Sequence, residues 1–205
     1  LTGRVSLVKE DDYPRSSIQL SIRGQIKNKS EFTEKFMAIS SELNLDIAFQ
    51  EDNIFRRNRR LVCFDMDSTL IQTEVIDELA ELAGVGEQVR AITESAMQGE
   101  IDFQESFKQR MQLLKGLREE VLEEVAVNLP ITKGARRLID TLKSYGFKTA
   151  ILSGGFTYFG HYLQKELGID YVYANELEIK DGVLTGRYIG EIVDGNKKAE
   201  YLKEI

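Results

Sequence analysis

Leu61-Val62-Cys63-Phe64-Asp65-Met66-Asp67-Ser68-Thr69-Leu70 is the stretch from which the rest of the chain can be read. Four apolar residues follow the basic pair Arg59-Arg60 and predict a strand buried on both faces, the kind found inside a parallel sheet. The run ends in carboxylates at i and i+2, followed by Ser and Thr. Ligands of open α/β sheets bind in the crevice beyond the carboxyl ends of the strands. Two acids placed there are costly unless a cation or a proton-transfer role compensates them. Capping the next helix would need one acid, not two. A calcium loop counted from Asp65 would want Gly sixth and Glu twelfth, where Leu70 and Ile76 stand, so an EF-hand is excluded. An Asp-x-Asp of the glycosyltransferase kind, holding a metal and a nucleotide diphosphate, stays open at this point.

The 205 residues are 42% hydrophobic and 30% charged, enough for one large domain or a modest one with a small companion. A net charge of −7 and a pI near 5.0 argue against nucleic-acid and membrane-surface partners. No apolar run approaches the ~20 residues of a membrane span. No secretory signal is visible. The single cysteine, Cys63, lies in the predicted strand and can form no intrachain disulfide, so a cytoplasmic location is expected. One histidine, His161, rules out a multi-histidine metal centre; it falls in a helical pattern and reads as a partly buried structural residue.

Residues 1–57 read as a small α+β unit. Arg15–Arg23 alternates with Ile18, Leu20 and Ile22 on one face, Phe32, Phe36, Ile39 and Leu43 recur at helical spacing, and Ile47–Phe49 suggests a return strand. Arg56-Arg57-Asn58-Arg59-Arg60 marks the boundary to the second domain, 58–205. In an acidic chain and without interleaved aromatics, it reads as a solvated linker.

After Leu70 the pattern is helical over Val75–Ala83, Gln88–Met97, Phe103–Leu114 and Arg118–Val127, punctuated by Gly84, Gly86, Gly99 and Gly116. Such a block, about 72–129, inserted after the first strand, predicts a helical cap that closes over a site and excludes water. The α/β pattern resumes with a helix at Lys133–Ser144 and a strand at Lys148–Leu152 that ends in Ser153-Gly154-Gly155. A small hydroxyl and bare backbone amides at a strand's end suit a phosphate. This is not a Gly-x-Ser-x-Gly hydrolase elbow. A helix over Phe156–Leu167 and a short strand at Tyr171–Ala174 follow. Glu176–Lys180 and Val183–Gly186 then flank the hairpin signal Asp181-Gly182. Asp194-Gly195-Asn196 leads into a final helix carrying Lys197 and Lys198.

With Ser153-Gly154-Gly155 one strand–helix unit later, Phe64–Leu70 resembles the first motif of the haloacid dehalogenase superfamily in its phosphatase form. The resemblance implies an α/β fold: a Rossmann-like core with a helical cap inserted after the first strand, here joined to a small α+β N-terminal domain. It makes Asp65 the nucleophile that takes the phosphoryl group and Asp67 the general acid/base. It also implies Mg²⁺, held by the Asp65 carboxylate and the Asp67 main-chain carbonyl. Ser153 and Gly154 would meet the phosphate, and Lys198, which fits the pattern better than Lys197, would offset its charge. The chemistry agrees, since an aspartyl-phosphate splits one hard displacement into two and a second carboxyl can move the protons. Dehalogenases lack the second Asp, so Asp67 favours phosphoryl transfer.

Over residues 60–205 the chain is similar to the phosphoserine-hydrolysing branch of that superfamily. The similarity is carried by Asp65–Asp77, Glu94–Arg110, Leu152–Phe156 and Ala174–Gly186. It implies a small-molecule substrate, phosphoserine, with its ammonium on Glu74, its carboxylate in the fork of Arg110, and Phe103 shielding the site. A phosphotransferase acting on another amino alcohol such as homoserine is the alternative of the same chemistry. An amino-acid-binding regulatory protein with a dead site is the alternative of another class. The N-terminal unit is similar to half of an amino-acid-sensing domain of ferredoxin-like fold; a module that makes a homodimer, or merely shields, is the competing reading. The superfamily's last motif, a Gly-Asp-Gly-x-x-Asp loop that completes the magnesium site, is absent from the sequence. The chain starts at Leu1 without Met and stops at Ile205 within a helical pattern. The expectation is a fragment that binds Mg²⁺ weakly and has negligible phosphatase activity as it stands.

Overall fold

The computed structural model describes residues 2–8, 15–21, 24, 28–49 and 60–205. It divides into two units, Leu1–Arg59 and Arg60–Ile205, where the sequence placed the boundary after 57. In the first unit, β1 (Thr2–Val8) and β2 (Arg15–Ser21) pair antiparallel, with Thr2 opposite Ser21 and Val8 opposite Arg15. Helix α1 (Lys29–Leu43) starts on Asn28, whose side chain accepts the Glu31 N–H, and ends on Asn44 in the left-handed region at φ 49°. The return strand expected at Ile47–Phe49 does not form: residues 45–49 are irregular, and the Phe49 ring instead meets Phe32 edge-on at 4.9 Å. Ile22, Arg23 and the basic linker through Arg59 lie outside the described residues.

In the second unit, β3 (Leu61–Phe64), β4 (Lys148–Phe156), β5 (Tyr171–Lys180) and β6 (Val183–Ile189) form one sheet in that order. The first three run parallel and β6 antiparallel. Among the described residues β3 is the edge strand of this sheet, and Leu61–Phe64 are half-buried, not buried on both faces as their apolar run predicts. β5 is one continuous strand where the sequence suggested two. Its first half pairs with β4 and its second half with β6, across a turn whose Asp181 and Gly182 have φ of 52° and 74°. Helices α6 (Ala135–Ser144) and α7 (Thr157–Leu167) cover the sheet through the fully buried Ile139, Phe159 and Leu163. Gly160 lets α7 lie close to β5, since a Cβ there would come within 2.6 Å of Val172. Among the described residues, no helix is long and apolar enough to cross a membrane.

Four helices lie between β3 and β4: α2 (Val75–Leu82), α3 (Gly86–Met97), α4 (Phe103–Leu113) and α5 (Glu120–Val127). The chain leaves and re-enters the core through a paired neck. Gln72 N–H donates to the Pro130 carbonyl and Thr132 N–H to that of Leu70, each at 2.9 Å. A second anchorage lies on β6, where Gly116 N–H meets Leu184 O, Leu184 N–H meets Leu117 O, and Glu119 N–H meets Gly182 O, all at 2.8 Å. One apolar cluster runs from Leu79, Phe107, Met111 and Leu122 of the insertion into Ile139, Ile151 and Phe159 of the core. Shared burial on this scale makes the insertion part of one folding unit with the sheet.

Asp170 clamps the starts of β4 and β5. Its carboxylate accepts the Thr149 N–H at 2.9 Å, the Thr149 hydroxyl at 3.1 Å and Lys148 Nζ at 2.7 Å. Burial pushes this carboxyl up, but the hydrogen bonds outweigh it and hold it below the usual carboxylate range. The group's stabilising contribution is therefore complete above its unfolded value of ~3.9 and is lost as pH falls through the lowered folded value. Asp170→Ala is expected to cost about 1–2 kcal/mol at neutral pH, with the gap to wild type closing below that range. Urea titrations at neutral and acid pH check it; a gap that widened in acid would contradict it.

Candidate active site

The chain reverses sharply after β3. Met66, Leu70 and Ile71 are buried and pin the turn, and Ile71 N–H closes it onto the Met66 carbonyl at 3.1 Å. Ser68 occupies the left-handed region at φ 53°, uncommon for a residue other than glycine, with its N–H on the Thr73 carbonyl. This turn brings Asp65, Asp67 and Glu74 to one cavity of about 300 Å³. The end of β4 adds Ser153, Gly154 and Gly155, α4 adds Phe103, Phe107 and Arg110, and α8 (Gly195–Glu204) adds Lys198. The structure thus gathers Asp65, Asp67, Glu74, Phe103, Arg110, Ser153, Gly154 and Lys198, the residues singled out from the sequence, around a single space.

Lys198 Nζ donates to Asp65 Oδ2 at 2.7 Å, and Met66 N–H donates to Oδ1 at 2.8 Å, so both oxygens of Asp65 are oriented. Lys197 points elsewhere, pairing with Glu191 and Glu200 at 2.6 and 3.0 Å. Asp67 accepts the Val75 N–H at 2.9 Å and the Ser153 hydroxyl at 3.2 Å. Burial, reinforced by the charges of Glu74 and Asp65, pushes its carboxyl up to about 6 against the pull of those two bonds. A carboxyl lifted this way is suited to hold and release a proton near neutrality. The Ser153 hydroxyl, fully buried, also accepts the Gly155 N–H at 2.9 Å.

Glu74 accepts the Ser68 hydroxyl at 2.6 Å. Arg110 lies across the cavity on α4. Burial lowers its pKa, while Asp77 and Glu74 favour its charge; its Nε donates to the Ser106 carbonyl at 3.4 Å. Phe103, 43% exposed, stands at the rim and stacks on Phe107. Three participants were not singled out from the sequence. Asn175 is buried beneath the Ser153–Gly155 segment, and Asp194 caps α8 by accepting the Lys197 N–H at 2.9 Å. Gln104 Nε2 donates to Asp194 Oδ2 at 3.0 Å, joining the insertion to α8 at the cavity edge. Asp194-Gly195-Asn196, read from the sequence as leading into a final helix, is the start of α8. His161 proves exposed, with Nδ1 3.1 Å from Gln164 Oε1, not partly buried as its helical pattern suggested.

Among the described residues, no group of three or more His, Cys, Asp or Glu is placed to hold a metal. Asp65 and Asp67 are hard oxygen donors at the cavity, which Glu74 and Asp194 also line. Mg²⁺ is often held by one or two carboxylates, with phosphate oxygens and waters filling the other positions, so the donor chemistry fits Mg²⁺ without forming a closed cage.

A family model described as haloacid dehalogenase-like hydrolase matches residues 62–205. The phosphoserine phosphatase of Archaeoglobus fulgidus is 48% identical over 179 residues, covering 87% of this chain and 52% of that protein. The chain spans about half the length of the curated relatives it matches first. Among solved structures, a haloacid dehalogenase family hydrolase from Salmonella enterica serovar Typhi superposes with TM-score 0.77 at 33% identity, covering 87% of this chain and 60% of that one. A phospho-aspartyl intermediate analogue of phosphoserine phosphatase superposes with TM-score 0.66 at 42% identity, covering 71% and 70%.

The two glycines after Ser153 face different neighbours. A Cβ on Gly155 would overlap Asp67 Oδ2 and come within 2.6 Å of Met66 Cε, both held from behind, whereas one on Gly154 would meet the rim ring of Phe103 at 3.2 Å. Gly155→Ala is expected to cost about 1–3 kcal/mol through overpacking and Gly154→Ala clearly less. Urea unfolding of the two variants checks the order, and a reversal would contradict it.

Proposed function

The chain belongs to the haloacid dehalogenase-like hydrolases, and from that premise we propose that it carries the active site of a Mg²⁺-dependent phosphoserine phosphatase, releasing L-serine and phosphate. The observation that carries the proposal is a single cavity lined by both an acid pair with a lysine and a glutamate with an arginine. On this reading Asp65, Asp67, Ser153 and Lys198 serve the phosphoryl group, and Glu74 and Arg110 the amino-acid part, of a ligand held in about 300 Å³. That volume is at the small limit of ligand sites and suits a compact polar molecule better than a nucleotide. The names of the similar phosphoserine phosphatases support the same substrate.

An Asp65 carboxylate oxygen attacks phosphorus while the bond to the serine oxygen breaks. Asp67, carrying a proton, delivers it to that departing oxygen, and serine leaves. Asp67, now a carboxylate, takes a proton from a water whose oxygen attacks the aspartyl-phosphate, releasing phosphate and restoring Asp65. The Lys198 ammonium offsets the phosphoryl charge throughout, and the Ser153 hydroxyl and the Gly154 backbone meet the phosphoryl oxygens on this reading. Bound by the Asp65 carboxylate and the Asp67 main-chain carbonyl, Mg²⁺ would neutralise charge on the phosphoryl group. Glu74 holds the substrate ammonium, Arg110 grips its carboxylate, and Phe103 keeps water from the rim. The acidic chain and the lone Cys63 support a cytoplasmic enzyme with no nucleic-acid partner. The N-terminal unit is assigned to homodimer formation or amino-acid sensing.

In the natural-length protein, Asp65→Asn should abolish turnover, and Asp67→Asn should slow it by about 10²–10⁴-fold. Arg110→Ala should weaken phosphoserine by roughly 10- to 100-fold, the value of a charge-assisted bond, and leave a phosphate ester without a carboxylate nearly untouched. Equal losses on both substrates would remove Arg110 from binding of the amino-acid part. Chelation should stop turnover and added Mg²⁺ restore it. Labelled phosphate appearing on added homoserine, in place of free phosphate, would select a phosphotransferase.

A further inference from the structure

β4 and β5 lose register at the site. Leu152 lies opposite Tyr173, and Phe156 opposite Asn175, so four steps on β4 match two on β5. The two surplus residues fall within the Ser153–Gly155 segment, which leaves the ladder to face the cavity. Carbonyls released in this way need new donors, because a buried unpaired backbone group is costly. Asn175 Nδ2 supplies them, donating to the Gly154 carbonyl at 2.7 Å and to that of Gly155 at 3.3 Å. Asn175 Oδ1 accepts the Val193 N–H at 2.8 Å. Val193 precedes Asp194, the cap of α8, and within the first turn of that helix Lys198 reaches Asp65.

From this we infer that Asn175 is a positioning residue of the phosphoryl site, holding the Ser153–Gly155 bulge and the Lys198 helix in mutual register through one buried carboxamide. The inference rests on the phosphatase reading above. Asn175 is 1% exposed and touches none of the charged groups by a hydrogen bond; it acts through the backbone on either side. A carboxamide is suited to this place, since it offers two donors and an acceptor without charge. Asp keeps the shape and the acceptor but has no N–H, and Leu has neither. The Ser153 hydroxyl on Asp67 and the Lys198 ammonium on Asp65 are thereby set from one point, which fixes the two carboxylates relative to the reacting phosphorus.

The test uses the natural-length protein with Asn175→Asp, Asn175→Ala and, as a control for instability, Ile139→Ala, which empties a core position on α6 outside the cavity. Turnover of phosphoserine and of p-nitrophenyl phosphate is measured below every variant's melting temperature. Both Asn175 variants are expected to lower kcat by the same factor on the two substrates, about 10- to 100-fold, the scale of a misplaced reacting group. KM should move by less than about threefold, and Ile139→Ala should keep its kcat. If Asn175→Ala does not fold, the isosteric Asn175→Asp decides. A kcat within about twofold of wild type for folded Asn175→Asp would overturn the inference, as would a loss confined to phosphoserine. Wild-type turnover of p-nitrophenyl phosphate without phosphoserine would instead sink the substrate assignment, and the comparison of variants would still run on the generic ester.

Discussion

Four carboxylates, Asp65, Asp67, Glu74 and Asp194, line one small cavity, and the 2.7 Å contact of Lys198 with Asp65 is what makes that crowding tolerable beside β3. Energetically the pair is modest, because both side chains remain partly in water, at 29% and 48% exposure, and such pairs are worth about 0–1 kcal/mol. Its importance is positional. The partners are 133 residues apart in sequence, so the ammonium arrives only when the sheet and α8 are both in place. The β5–β6 hairpin returns the chain towards the site, Ile192 and Val193 are buried beneath it, and Asp194 starts the helix that carries the lysine. A weak contact can therefore depend on strong packing, and the cavity inherits its geometry from the core.

How far this was legible in the sequence follows from how local each signal is. Asp65 and Asp67 are separated by one residue at the end of an apolar run, and the strand–turn reading needs nothing from elsewhere. The helices of the insertion were readable for the same reason, with ends that fall within a few residues of their glycines. Burial of β3 was overestimated because an apolar tetrapeptide does not reveal which neighbour lies on each side, and among the described residues Leu61–Phe64 form the sheet edge. Ile47–Phe49 has strand-like residues, yet its backbone is irregular and Phe49 packs on the rings of α1. Asn175 carried no signal at all. An amide between two strand-like segments looks like a break, and only the lost register of β4 shows why the strand continues through it.

The two ends of α4 are held differently. The C-terminal part of α4 and the loop after it join β6 by backbone bonds, and Gly186, at φ 77°, lets β6 approach so closely that a Cβ would come within 3.3 Å of the Gln112 Cα. At the other end, α4 meets the opposite wall through the Gln104–Asp194 side-chain bond and through Phe103 over Gly154. Side-chain contacts near solvent are worth about 1 kcal/mol and break readily, whereas a glycine-fitted interface with three backbone bonds does not. The weaker contacts lie at the rim, where Phe103 and Gln104 stand. Arg110 lies in the last turn of α4, at the backbone-anchored end. The helix is thus anchored by backbone at one end and held by side chains at the other.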